Sequence, residues 1–147
     1  MKLDATNIEI IRHLKNGRKS FKLIASDLSI TENTVRSRVN KMIEEGLLDI
    51  SGNIRVDALP GHNLLYLGVK LNTMELQVKA KEFSKLRGVV SAGIVTGRYD
   101  LILQVLLNED YNLLEFITGQ VTKIKDVQTV ESFIVYEGYN LKVPYIL

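Results

Sequence analysis

Two short stretches of the 147-residue chain carry side chains that could do chemistry. The first is "ENTVRSRVNKMIEE" (32–45). With Val35 at the centre of an inward helical face and about 100° of rotation per residue, Asn33, Ser37 and Asn40 point straight out. Arg36 and Lys41 stand beside them, and Thr34 completes the set. Asn, Ser, Arg and Lys on one face suit the base edges and phosphates of a major groove, although most exposed helix faces are polar too. Arg38 falls near the apolar stripe, where it meets a phosphate or an intramolecular acid rather than a base. The second stretch is "IVTGRYDLILQVLL" (94–107), an apolar run interrupted by Gly97, Arg98, Tyr99 and Asp100. Gly accepts positive φ and Asp bonds its own backbone, so these four read first as a turn between two strands.

Other chemistries find few residues to work with. The sequence contains no cysteine, which removes disulfides, thiolate nucleophiles and sulfur-ligated metals together. Its two histidines, His13 and His62, are too isolated for a metal site or a triad. There is no Walker-type phosphate loop and no Gly-x-Ser-x-Gly elbow. The expectation is a protein that is not an enzyme and holds no metal or cofactor.

Charge points in one direction. Of 19 basic and 17 acidic residues, ten and eight lie in 1–58, and nine of each lie in 59–147. The excess is therefore N-terminal, and "RHLKNGRKSFK" (12–22), with Arg18 and Lys19 at its centre, holds five basic residues and no acid. Such a patch suits phosphates, while charge runs are also common on solvated faces. Near its start the chain is charged every few residues, which fits neither a signal peptide nor a membrane span and leaves a cytoplasmic protein as the expectation.

The elements that position these residues can be read from periodicity. Ile8, Ile11 and Leu14 recur at helical spacing, with Gly17 as the stop. Ser20 caps "FKLIASDL", with Leu23, Ile24 and Leu28 on one face, and Thr31 caps the next helix. Val35, Val39, Met42 and Ile43 form that helix's stripe, and Gly46 ends it. Two helices joined by a three-residue turn, behind a supporting helix, make a helix-turn-helix pattern. "LLDISGNIRVD" reads as a small hairpin around Ser51-Gly52-Asn53, and "LPGHN" (59–63) reads as the domain boundary. Beyond it come strand "LLYLGVKL", helix "TMELQVKAKEFSKL" burying Met74, Leu76, Val78, Ala80 and Phe83, and strand "VVSAGIV". The interrupted run supplies the next strand, followed by helix "DYNLLEFITGQVTKI" and strand "VQTVESFIVY". The order β-α-β-β-α-β is the split-βαβ, ferredoxin-like arrangement, and the apolar tail "NLKVPYIL" could add an edge strand. The expected class is α+β: a helix-turn-helix domain with a short hairpin over 1–58, a linker over 59–63 and a ferredoxin-like domain over 64–147.

A head running "LDATNIEIIRHLKNGRKSFKLIASDLSITENTVRSRVNKMIEEGLL", followed by a split-βαβ domain containing "VTGRYDL", resembles the Lrp/AsnC family of transcription regulators. The resemblance implies double-stranded DNA as partner, read by Arg36, Ser37 and Asn40 with Asn33 and Thr34 beside them. Lys41, Arg18 and Lys19 would neutralise phosphates. It implies self-association into a dimer through the sheet of the second domain, with an octamer as the larger assembly. Strand 64–71 and the tail would lie at subunit contacts. It also implies an amino acid or related small effector. The family turn motif Gly-x-Tyr-Asp maps onto Gly97, Tyr99 and Asp100, with Arg98 at the free position. Asp100 would accept from the effector's ammonium, and the freed backbone N–H groups of the turn would hold its carboxylate. Family members usually place a hydroxyl on the last strand facing this turn, which implies Ser132, with Thr129 as second candidate. The sequence departs from the family in two places. Ser29 stands in the helix-turn-helix turn where Gly is common, at a cost of up to about 1 kcal/mol where positive φ is needed. Val130 stands where many members carry Thr. An effector-independent, architectural DNA-binding protein of the same fold is the alternative.

Overall fold

The computed structural model of the chain describes residues 3–147. Its compact units divide between Ser51 and Gly52.

Three capped helices build the first unit. Helix α1 (Ala5–Leu14) starts at Asp4, whose carboxylate accepts from the Asn7 N–H at 2.8 Å. Helix α2 (Phe21–Asp27) starts at Ser20 and α3 (Glu32–Glu44) at Thr31, each side chain accepting from the N–H three residues on. Both of those caps match the sequence reading. Ile10, Ile24, Val35, Val39 and Met42 are buried together as the core. The phase of α1 differs from expectation. Its inner row is Asn7, Ile10, Ile11 and Leu14, and Ile8 is exposed. Asn7 can occupy a core position because Arg38 of α3 donates to its Oδ1 at 3.0 Å. Ile43 and Leu23 likewise face outward, and Ala25 is buried in the α2 face.

The ends of α2 and α3 are closed by the same device. Behind α3, Gly46 has φ +67°, and the N–H groups of Gly46 and Leu47 donate to Ile43 and Met42 carbonyls at 2.9 and 2.8 Å. Behind α2, Ser29 has φ +54°, and the N–H groups of Ser29 and Ile30 donate to Ser26 and Ala25 carbonyls at 3.3 and 3.0 Å. Both are Schellman closures, whose left-handed residue is ordinarily Gly. Gly17, expected as the stop of α1, is not in that conformation, and the helix ends at Leu14 with Lys15 as its right-handed cap.

The second unit carries strands β2 (His62–Leu71), β3 (Val89–Ile94), β4 (Leu101–Asn108) and β5 (Val127–Ile134), with helices α4 (Leu76–Phe83) and α5 (Leu113–Gly119). The sheet order is β3-β4-β2-β5, antiparallel throughout, as the ferredoxin-like reading requires. Alternate residues of β2 and β4, Leu65, Leu67, Val69, Leu101, Leu103 and Val105, face Phe83 and Phe116 from the two helices and form the main core. The other face bears Tyr66, Gly68, Lys70 and Gln104, and at its far end Leu64 and Leu106 are buried with Val56 and Val143. Helix α4 is shorter than expected. Its inner row is Leu76, Lys79, Ala80 and Phe83, while Met74 is 89% exposed and Val78 faces solvent. Lys79 takes an inner position because its ammonium reaches Glu82 at 3.2 Å and Asp126 at 3.4 Å.

Two expectations are corrected here. Residues 47–57 do not form a hairpin with themselves: β1 (Asn53–Ile54) pairs with β6 (Val143–Pro144), so the tail adds a strand to this small ribbon rather than to the main sheet. The 59–63 segment is not the domain boundary. It is a turn inside the second unit, with Gly61 at φ +70°, because Val56 is already buried with Leu64, Leu106 and Val143. Among the described residues no helix is long and apolar enough to cross a membrane.

Candidate functional site

On α3, Asn33, Arg36, Ser37, Asn40 and Lys41 are all exposed, as the helical phase predicts. They border two open grooves. One also meets Asp4, Asn7, Thr34 and Arg38, and the other also meets Glu44. Thr34 is half-buried, its hydroxyl 2.8 Å from that of Thr31. Arg36 is held in place: Nη2 donates to Glu32 at 2.8 Å and the guanidinium lies 5.4 Å from the Phe21 ring centre. Arg38 resolves in favour of an intramolecular acid, donating to Asp4 at 2.6 Å as well as to Asn7. That bond, with the Asn7 N–H, holds the Asp4 carboxyl below the usual carboxylate range.

Of the three basic residues expected on phosphates, the two from the 12–22 run differ. Arg18 is exposed, and its backbone N–H donates to Asn16 Oδ1 at 3.2 Å. Lys19 instead turns inward. Its ammonium bonds the Asp27 carboxylate and lies 2.8 Å from His13 Nδ1, leaving its side chain 22% exposed. The Lys19 bond lowers the Asp27 pKa. Lys19 therefore ties the connection before α2 to the end of that helix, a structural role that the basic run concealed.

In the second unit, the interruption at 97–100 is more than a connection between β3 and β4. Gly97 has φ +120°, a conformation that L side chains rarely adopt. The Tyr99 side chain leaves the hairpin and lies across β2 at Gly68, where an added Cβ would meet its ring carbons at 2.7 Å. Its hydroxyl donates to Glu131 on β5, and its ring meets Phe133 edge-on at 6.1 Å. The bond to Glu131 raises the Tyr99 pKa. Arg98 also reaches Glu131, at 3.0 Å. Asp100 is pinned to β2: its N–H donates to the Val69 carbonyl at 2.9 Å, and its carboxylate accepts from Leu71 N–H and Lys70 Nζ, each at 2.8 Å. The Lys70 bond, then the Leu71 N–H, lowers the Asp100 pKa.

The last strand corrects the expected hydroxyl. Ser132 pairs with Leu67 and Thr129 with Lys70. Side chains alternate between faces, so Ser132 shares the helix-covered face with Leu67 and Val69, away from the turn. Thr129 stands on the face of Lys70 and Tyr99, and with Arg98, Glu131 and Gln128 these residues line one shallow hollow. Gly68, Lys70 and Glu131 were not anticipated from sequence. A lone Gly inside an apolar strand is a signal of close approach, but what approaches depends on the fold.

Comparison with known proteins agrees with this geometry. Residues 3–43 match the AsnC-type helix-turn-helix domain, and residues 64–142 match the Lrp/AsnC ligand binding domain. An uncharacterized HTH-type transcriptional regulator of Pyrococcus abyssi is 29% identical over 136 residues, covering 91% of this chain and 86% of the relative. The structure of Escherichia coli AsnC superposes with a TM-score of 0.70 at 20% identity, covering 94% of this chain and 95% of that one. A transcriptional regulator of Neisseria meningitidis, solved as its L-Met complex, superposes with a TM-score of 0.69 at 18% identity, covering 92% and 91%. The family consists of transcriptional regulators rather than enzymes. The matched domains together span both units, and the chain is a DNA-binding transcription regulator of the Lrp/AsnC family.

Proposed function

We propose that the protein reads its operator with Arg36, Ser37 and Asn40, flanked by Asn33 and Thr34, and neutralises phosphates with Lys41 and Arg18. Lys19 supports that surface from behind through Asp27. The second unit senses an amino acid or related small effector at Gly97, Arg98, Tyr99, Asp100 and Thr129. The observation that carries the effector reading is the course of Tyr99. A hairpin turn needs only to reverse the chain, yet this one sends an aromatic side chain over β2 to a carboxylate on β5. The L-Met complex of the Neisseria relative supports the ligand class.

Self-association into a dimer, and beyond it an octamer, belongs to the same reading. β2 is flanked by β4 and β5 and cannot extend the sheet, so its contribution to a subunit contact is through the face that bears Tyr66, Gly68 and Lys70. Phe133, Ile134, Tyr136, Tyr139 and Tyr145 are exposed along the adjoining edge and tail. A dimer would set two recognition helices on half-sites about one turn of DNA apart.

The test is a thermal-shift screen with the twenty amino acids, followed by calorimetry and by DNA affinity with and without the best ligand. A ligand at a hundred times its dissociation constant should stabilise the fold by roughly 2.7 kcal/mol. Asp100→Asn should lower ligand affinity by roughly 1.5–3 kcal/mol and abolish the ligand's effect on DNA affinity. Equal affinity for wild type and Asp100→Asn would reduce the motif to a turn. An effector-independent regulator is the second reading, favoured by one observation: Asp100 already holds an ammonium, that of Lys70.

A further inference from the structure

Building on the reading of 97–100 as an effector site, we propose that Lys70 is its specificity-determining residue, an internal ammonium occupying the place on Asp100 that an amino acid's ammonium must take. The carboxylate is engaged at both oxygens from one strand, Oδ1 by Lys70 Nζ and Oδ2 by Leu71 N–H. Its side chain is only 19% exposed, so it offers little further surface to a ligand. The neighbouring pair is closed as well, with Arg98 on Glu131. The loop and the two strands beside it thus bring together two cations and two anions in two matched pairs, Lys70 with Asp100 and Arg98 with Glu131. A second ammonium at Asp100 would stand within hydrogen-bonding range of the same carboxylate as the first, and like charges there repel.

Lys70 is nevertheless built to leave. Its side chain is 39% exposed on a flexible four-carbon stem, and it faces the hollow shared with Thr129 and Tyr99. Lys79 makes the contrast. That ammonium is fixed between Glu82 and Asp126 with its side chain 8% exposed. The Leu71 N–H bond keeps the Asp100 carboxylate in place when Lys70 swings away, so the acceptor would be formed before the ligand arrives. Binding of an α-amino acid is therefore an exchange of one ammonium for another, which weakens affinity without abolishing the site.

The test is calorimetry on wild type, Lys70→Met and Lys70→Gln, each checked for folding by circular dichroism. The probes are the twenty L-amino acids and, for the tightest of them, its 2-oxo acid. Both substitutions should raise affinity for the amino acid at least tenfold, and neither should raise affinity for the 2-oxo acid, which has no ammonium to compete. Adding Asp100→Asn to Lys70→Met should remove the gain. Equal amino-acid affinity in wild type and both variants would overturn the proposal and leave the effector reading standing. An equal gain for the 2-oxo acid would overturn it too, since Lys70 would then only be filling space. If no amino acid binds any of the three proteins, the effector reading falls and this inference falls with it.

Discussion

Adding one methyl group at Gly68 tests whether Tyr99 is seated across the sheet as described. The Cβ of an alanine at this position would lie 2.7 Å from three carbons of the Tyr99 ring. Carbon atoms rest at about 3.5–4.0 Å, so the ring must retreat by roughly 1 Å. A rigid ring cannot yield at one atom. It must move as a body, against a hydroxyl bonded to Glu131 and an edge contact with Phe133. Overpacking of this kind costs about 1–3 kcal/mol. Alanine offsets about 0.5–1 kcal/mol of that, because it is better than glycine inside a strand. Gly68→Ala should therefore destabilise the second unit by about 0.5–2 kcal/mol in the wild-type background. In a Tyr99→Ala background the obstacle is gone, and the same substitution should become neutral or stabilising by about 0.5–1 kcal/mol. All six tyrosines lie in the second unit, so tyrosine fluorescence during urea unfolding reports it selectively. A coupling energy within about 0.5 kcal/mol of zero across the four proteins would mean the ring does not lie over Gly68.

Ser29→Gly should stabilise the first unit by about 0.5–1 kcal/mol, because the residue holds φ +54° in the closure where Gly46 serves behind α3; an unchanged melting curve would refute the strain. Asp100 titrates below its ordinary value of 3.8 because of Lys70 and the Leu71 N–H, so its contribution to stability is complete above that pH and is lost as pH falls through the lower folded value. Lys70→Met should accordingly be less stable than wild type near neutrality, with the gap closing in acid below about pH 3.8; urea titrations at several pH values would show it, and a gap independent of pH would contradict the pairing. Arg18→Ala should flatten the salt dependence of DNA binding by about one unit, whereas Lys19→Ala should lower thermal stability and leave the slope nearly unchanged. Asn40→Ala should relax sequence preference at one position of each half-site by about 1–3 kcal/mol, and unaltered specificity at fixed salt would move base reading off this face.

The readable parts of this chain are those whose cause is local. Ser20, Thr31 and Gly46 act within a few residues of where they stand, and each does in the structure what its type suggests. The element order of the sheet domain is legible for the same reason, since it follows from short-range periodicity. The outward face of α3 is legible because three buried residues, Val35, Val39 and Met42, fix its phase. Misreadings fall where a distant residue decides. Asn7 displaces Ile8 from the core only because Arg38 arrives from another helix. Lys79 displaces Val78 only because Asp126 comes round from the turn before β5. Tail strand β6 closes on β1 across most of the chain, which moved the domain boundary with it.

The effector loop combines both kinds of cause. Gly97 and Asp100 announce a turn from composition alone, and that much is local. Ser132 is named by the resemblance alone, and the phase of its strand is set by the pairing of β5 with β2, which puts Thr129 beside Lys70 and turns Ser132 away. Lys70 looked like one polar residue at the end of an apolar strand. Its meaning comes from a carboxylate 30 residues later that shares its face of the sheet. A residue adding a charge to an otherwise apolar strand must either face water or meet a counter-charge. Here it does both, partly exposed and paired, which is the condition for a contact that holds in the free protein and gives way to a competitor. The same logic separates Lys70 from Lys79: equal charge and similar pairing, but only the more exposed ammonium can swing into water, and the Leu71 N–H stays on Asp100 when it does.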